Sequence, residues 1–175
     1  MRYPLVYGGV AGAIIIGIAL IVIGLDLPKH FETPWFGYLV MLVALSLIFV
    51  GVRRYRDSEC GGVVSFGRAF KLGLAMALVA ALIYIAGWEL YLALSGKDFM
   101  AEYSGAMIES MRADGASAAA IEAAQAEMRD FGVKYRNPLF RIPITFAEIF
   151  PVGFIVALVS AALLRNPRLL PARSV

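Results

Sequence analysis

Two acidic residues, Glu89 and Glu148, each stand inside a run of about 20 mainly apolar residues, the length that crosses a bilayer as a helix. A charged side chain near the centre of such a span costs roughly 2.5 kcal/mol or more, so acids kept there point to proton or cation handling, or to a polar contact between helices. Glu89 precedes the end of its run by five residues and Glu148 follows the start of its run by six. At 1.5 Å per residue each lies about 7 to 9 Å from the same membrane surface. Facing one another, two carboxylates in a weakly solvated site do not both ionise cheaply. Thr145 is one turn before Glu148, and Arg141 is two turns before it on a similar face, placed to pair with it. Pro151 removes the helical bond to the Ala147 carbonyl and is expected to kink the helix. The functional reading of Glu89, Glu148, Thr145 and Arg141 is an outward-opening site for a proton, a cation or a cationic substrate. The structural reading is a snorkelling or hydrogen-bonded pair near the interface, and residue types alone leave both open.

Other chemistry is poorly represented. His30, Asp26 and Glu32 share a short loop without diagnostic ligand spacing, and a solvated histidine is expected there. The single cysteine, Cys60, excludes an intramolecular disulfide and a Cys-based metal cluster. The glycines of Gly61-Gly62-Val63-Val64-Ser65-Phe66-Gly67-Arg68 lack the Gly-Lys-Ser/Thr ending and preceding strand of a phosphate loop. No Ser, His and Asp set shares a span, so nucleophilic hydrolysis is not expected. The sequence predicts no metal, no cofactor and no enzymatic activity.

The elements that must position these residues follow from composition. With 61% hydrophobic residues, 17% charged residues and a mean hydropathy of +0.77, the chain lies outside the soluble range. A net charge of +3, with bases clustered beside apolar runs, excludes a nucleic-acid stripe. Four runs are long enough to span, at about residues 5–25, 35–52, 72–94 and 142–164. A cleaved signal peptide competes for the first, but its apolar run is too long and no Ala-x-Ala-like site follows. Gly8 and Gly12, with Gly9, Ala13 and Gly17 on the adjoining line, give that span small residues for close helix packing, against another span or against a second copy.

The loop between the second and third spans carries Arg53, Arg54, Arg56, Arg68 and Lys71 against Asp57 and Glu59, so it is predicted to be cytoplasmic. Both termini then lie on the same side, consistent with Arg2, Arg165, Arg168 and Arg173. Trp35, Tyr38, Trp88 and Tyr91 fall toward the outer interface, and Tyr3, Tyr7, Tyr55, Phe66 and Phe70 toward the inner one. Phe66 and Phe70, one turn apart, suggest an interfacial helix leading into the third span, with Arg68 and Lys71 off that face serving as topology determinants or as contacts for anionic lipid.

From Lys97 to Asn137 the chain turns polar and alanine-rich, which predicts an outer helical hairpin. Its first arm runs from about Lys97 to Arg112, its turn falls at Asp114-Gly115, and Asp114 or Ser117 caps the second arm. Ile121, Ala124, Met128 and Phe131 recur at helical spacing as an apolar stripe. That stripe packs on Met100, Met107, Ile108 and Met111 or on the membrane surface, or else serves as a lid or docking face.

Arg54-Tyr55-Arg56-Asp57, Gly61-Gly62, Ser65-Phe66, Ala69-Phe70 and Gly73, then Tyr135, Asn137-Pro138 and Glu148, together resemble a bacterial family known only as domain of unknown function 4199, small four-span membrane proteins. The resemblance runs from the first span to the fourth and implies a bacterial inner-membrane protein without an assigned activity or site. The expected fold is all-α: one polytopic membrane domain over residues 1–175, with four transmembrane helices and an extracytoplasmic hairpin between the third and fourth. The expected function is a non-enzymatic component acting through lipid, through a protein partner or as a homo-oligomer, with no nucleic acid. A small ion-coupled transporter using the glutamate pair is the alternative.

Overall fold

The computed structural model of the chain describes residues 2–25, 33–96, 98–167 and 171. Asp26, His30, Glu32, Lys97, Arg168 and Arg173 lie outside them, and so do the expectations that rest on those residues. Among the described residues four helices are long and apolar enough to cross a membrane, Pro4–Gly24, Trp35–Glu59, Phe66–Ser95 and Pro138–Leu164. We name the helices α1 (Pro4–Gly24), α2 (Pro34–Leu45), α3 (Leu47–Glu59), α4 (Phe66–Ser95), α5 (Phe99–Ala113), α6 (Ala118–Tyr135) and α7 (Pro138–Leu164). At 30 residues α4 is about 45 Å long, more than the roughly 30 Å hydrocarbon core requires, so its apolar run continues into polar ends.

Two departures from the expected helices have local causes. The second span has one irregular turn at Ser46, which keeps helical angles (φ −59, ψ −19) while its hydroxyl donates to the Val43 carbonyl at 2.6 Å and competes with the helical ladder there. The first five residues of α1, Pro4–Gly8, wind with the wider π pitch behind a proline whose missing N–H is harmless at a helix start. Pro151, by contrast, lies within the continuous helix α7.

The chain forms two compact units, Met1–Trp88 with Phe146–Val175, and Glu89–Thr145. In the first unit Ala11, Ile15, Leu45, Ile48, Val52, Met76, Ala80, Ala157 and Ala161 are buried. The opposite faces stay apolar: Val43 is 64% exposed, Leu82 62% and Ile155 58%, a surface that lipid would cover and water would not. Helix α1 approaches α4 through Gly8 and Gly12, since a Cβ on Gly12 would stand 2.6 Å from the Ala80 carbonyl oxygen and one on Gly8 would run into that of Met76. Gly17 has open space at the same position, so the close approach does not extend to it. Helix α4 meets α7 at Gly73, where an added Cβ would lie 3.0 Å from that of Ala157.

Where α3 ends, the chain reverses through Gly61 (φ +60) and Gly62 (φ +87), backbone geometry that a side chain would strain. The Arg56 carbonyl accepts from the Cys60 and Gly62 N–H groups at 3.2 and 3.0 Å. The Arg56 side chain is wholly buried, with Nε donating to Asp57 Oδ1 at 2.6 Å, and Arg53 lies 3.8 Å from the other oxygen of Asp57. Glu59 accepts from Tyr3 at 3.1 Å and Arg2 at 3.3 Å, and the Tyr3 ring meets Tyr55 edge-on at 5.5 Å.

In the second unit α5 and α6 lie side by side. Asp98 caps α5 by accepting from the Ala101 N–H at 3.2 Å, and Ser117 caps α6 by accepting from Ala120 at 3.2 Å. Of the two residues expected to cap α6, Asp114 and Ser117, the helix starts on the second; Gly115, at φ +76, makes the turn. Ile121, Ala124, Met128 and Phe131 form the half-covered face of α6, while Ile108 is buried on α5 and Met107 turns outward at 37% exposure. No residue of α6 is fully buried. Asn137 caps α7 by accepting from the Leu139 N–H at 3.0 Å, with Pro138 in the first helical position.

Candidate functional site at the Glu89 and Arg141 clasp

Helix α4 carries Glu89 in its last two turns, and α7 carries Arg141 in its first. The guanidinium grips the carboxylate with both arms of its fork: Nε donates to Oε1 at 2.7 Å and Nη2 donates to Oε2. The remaining arm, Nη1, donates to the Tyr135 carbonyl at 3.0 Å, and the guanidinium carbon sits 5.6 Å from the centre of the Tyr135 ring. All three nitrogens of Arg141 are therefore engaged. With the Arg141 and Glu89 side chains only 12% and 25% exposed, this is a half-buried bidentate pair, stronger than a surface bridge. Thr145, 4% exposed, donates its hydroxyl to the Arg141 carbonyl at 3.1 Å and is satisfied by its own helix.

The arrangement neutralises Glu89. Both carboxylate oxygens accept from the one guanidinium, so the negative charge of Glu89 is already compensated within the clasp. Arg141, expected from spacing to be in reach of Glu148, is paired with Glu89 instead. Spacing along one helix identifies which residues share a face, not which neighbouring helix that face meets.

Glu148 belongs to the other unit. It lies on the exposed stripe of α7 with Ala147, Pro151, Phe154 and Ile155, and has no hydrogen bond or ion pair among the described residues.

A second clasp, not anticipated from the sequence, lies at the open ends of α5 and α6, where Arg136 Nη2 donates to Asp98 Oδ2 at 2.9 Å. The Arg136 guanidinium, with help from the Ala101 N–H, holds the Asp98 carboxyl below the usual carboxylate range. Both clasps pair an acid on the ascending strand of the chain with an arginine on the returning one. An available signal was the order of charges around the hairpin, acid at 89 and 98 and base at 136 and 141. Beside this clasp α5 and α6 enclose an open groove of about 720 Å³, lined by Asp98, Met100, Ser104, Met128, Arg129 and Arg136 among others. The burial of Arg56 was equally unforeseen, because an arginine at a helix end reads as a solvated topology signal.

No curated protein and no solved structure matches this chain. A family model does, over residues 6–166, and by that match the chain belongs to the family described as Protein of unknown function (DUF4199).

Proposed function

We propose that the chain is a non-enzymatic component of the bacterial inner membrane that acts through contacts made by its α5 and α6 hairpin, on the outer side, with a protein partner or with lipid. The observation that carries this reading is the thin packing of the hairpin. Ile108 is its one fully buried residue among those described, while Tyr103 is 52% exposed and Val133 72%, and the groove beside Met100 and Met128 stays open. Helices outside a membrane ordinarily cover such residues, and a partner surface would do so here. The test is recovery of co-purifying proteins from native membranes in mild detergent, comparing the wild-type chain with Val133→Glu and Met128→Glu. Loss of a defined partner in both variants supports the reading, and an unchanged partner set removes it.

The rival reading is ion-coupled transport, favoured by one observation: the carboxyl of Glu148 is accessible on a spanning helix without an ion-pair partner among the described residues. Glu89 contributes less to it, being held by Arg141. Glu148→Gln separates the two, because it removes ion-dependent uptake in vesicles while leaving partner recovery unchanged.

A further inference from the structure

The end of the first unit where α3 stops and α4 begins has a charge balance that the sequence alone does not reveal. Its acids are already used: Asp57 serves the buried Arg56 and stands near Arg53, and Glu59 serves Arg2 and Tyr3. Three cations, Arg54, Arg68 and Lys71, are exposed and have no ion pair or hydrogen bond from their side chains among the described residues. The packing of Gly73 on Ile48 and of Gly51 on Met76 sets α3 against α4, which brings these three cations to one end of the unit. Val63, in the turn between the helices, is 60% exposed, so an apolar side chain projects beside the charges. Phe66 and Phe70 stack at 5.8 Å beside them, aromatic rings of the kind found at headgroup depth.

We propose that this end of the unit binds the phosphate headgroups of anionic phospholipids through Arg54, Arg68 and Lys71. The inference rests on the reading of these helices as membrane spans and is independent of what the hairpin binds. Cations without local counter-ions call for an anion, and the adjoining exposed Val63 selects an amphiphile over a free phosphate: the headgroup meets the three bases while acyl chains cover the apolar face. Each base near an anionic membrane surface strengthens binding about fivefold, so three together give about a hundredfold preference over a zwitterionic lipid at low salt. That preference weakens as salt rises.

The experiment uses the full-length protein in a neutral detergent, with its thermal unfolding midpoint followed during titration with phosphatidylglycerol, phosphatidylcholine or glycerol phosphate. The expected result is stabilisation at about a hundredfold lower phosphatidylglycerol than phosphatidylcholine, weakened by salt, with glycerol phosphate inert. The triple variant R54Q/R68Q/K71Q should lose the preference, while the control R112Q/K134Q, on α5 and α6 outside the residues that line their groove, should keep it. Equal response to the two lipids, a salt-insensitive preference in the wild-type protein, or a triple variant that still prefers phosphatidylglycerol overturns the proposal. A full response to glycerol phosphate would reassign the site to a soluble phosphate and overturns it as well. The wild-type salt series decides the matter should the triple variant fail to fold.

Discussion

Arg141 holds Glu89 by a two-point fork across 52 residues of chain, and those two residues stand almost at the limits of the unit that runs from Glu89 to Thr145. Removing either partner leaves the other half-buried and uncompensated. Arg141→Ala and Glu89→Ala are each expected to lower stability by about 2 to 3 kcal/mol, below the range for fully buried pairs because both side chains retain some exposure. The double variant should cost less than the sum, since the second substitution removes an orphaned charge. Arg141→Lys should recover less than half the loss, a point charge being unable to reproduce the fork. Thermal unfolding of the four purified variants is the measurement, and strictly additive losses would show that the pair does not couple.

Asp98 gives a pH dependence whose sign can be worked out. Its folded-state pKa is lowered by Arg136 first and then by the Ala101 N–H, so its contribution is fully present above the unfolded value of about 3.9 and is lost as pH falls through the lower folded value. No change from this group is expected between pH 6 and 8. The clasp should open only as pH falls below the ordinary carboxylate range and through the lowered folded value, loss of Ala101 amide protection relative to its intrinsic exchange rate being the readout. Asp98→Asn should already be loosened at neutral pH and show no further acid step from this position.

The glycines of α1 should separate cleanly. Gly12→Ala places a methyl 2.6 Å from the Ala80 carbonyl oxygen, backbone that cannot easily move, and should destabilise by about 1 to 3 kcal/mol. Gly17→Ala enters open space within a helix and should be neutral or gain up to about 1 kcal/mol from helix propensity. Unfolding midpoints of the two variants check this, and equal losses would contradict the α1 and α4 packing.

The side of the membrane is tested by Cys60, in the turn after the arginine-rich end of α3. A cytoplasmic turn predicts that a membrane-impermeant maleimide labels Cys60 only after the inner membrane is opened. Labelling in intact spheroplasts would invert the orientation.

The spans were legible because a run of about 20 apolar residues has few alternatives to a membrane helix. The α6 stripe was legible for a similar reason: Ile121, Ala124, Met128 and Phe131 repeat at the helical period, and they form its half-covered side. What could not be read was partnership across helices. The periodicity of α7 put Arg141 and Glu148 on related faces, yet the acid that meets the guanidinium comes from α4, a choice made by packing. Burial at helix ends was hidden as well, because Arg56 and Arg54 look alike in sequence while one is enclosed and the other exposed.

The second crossing stays helical through Ser46, whose backbone keeps φ −59 and ψ −19 and whose N–H reaches the Leu42 carbonyl at 3.0 Å. Its two segments, of 12 and 13 residues, are each about 18 to 20 Å long, so neither reaches across the hydrocarbon alone. The exposed Ser46 hydroxyl donates to the Val43 carbonyl of its own helix at 2.6 Å, so a polar side chain faces lipid within this crossing without calling on a neighbouring helix.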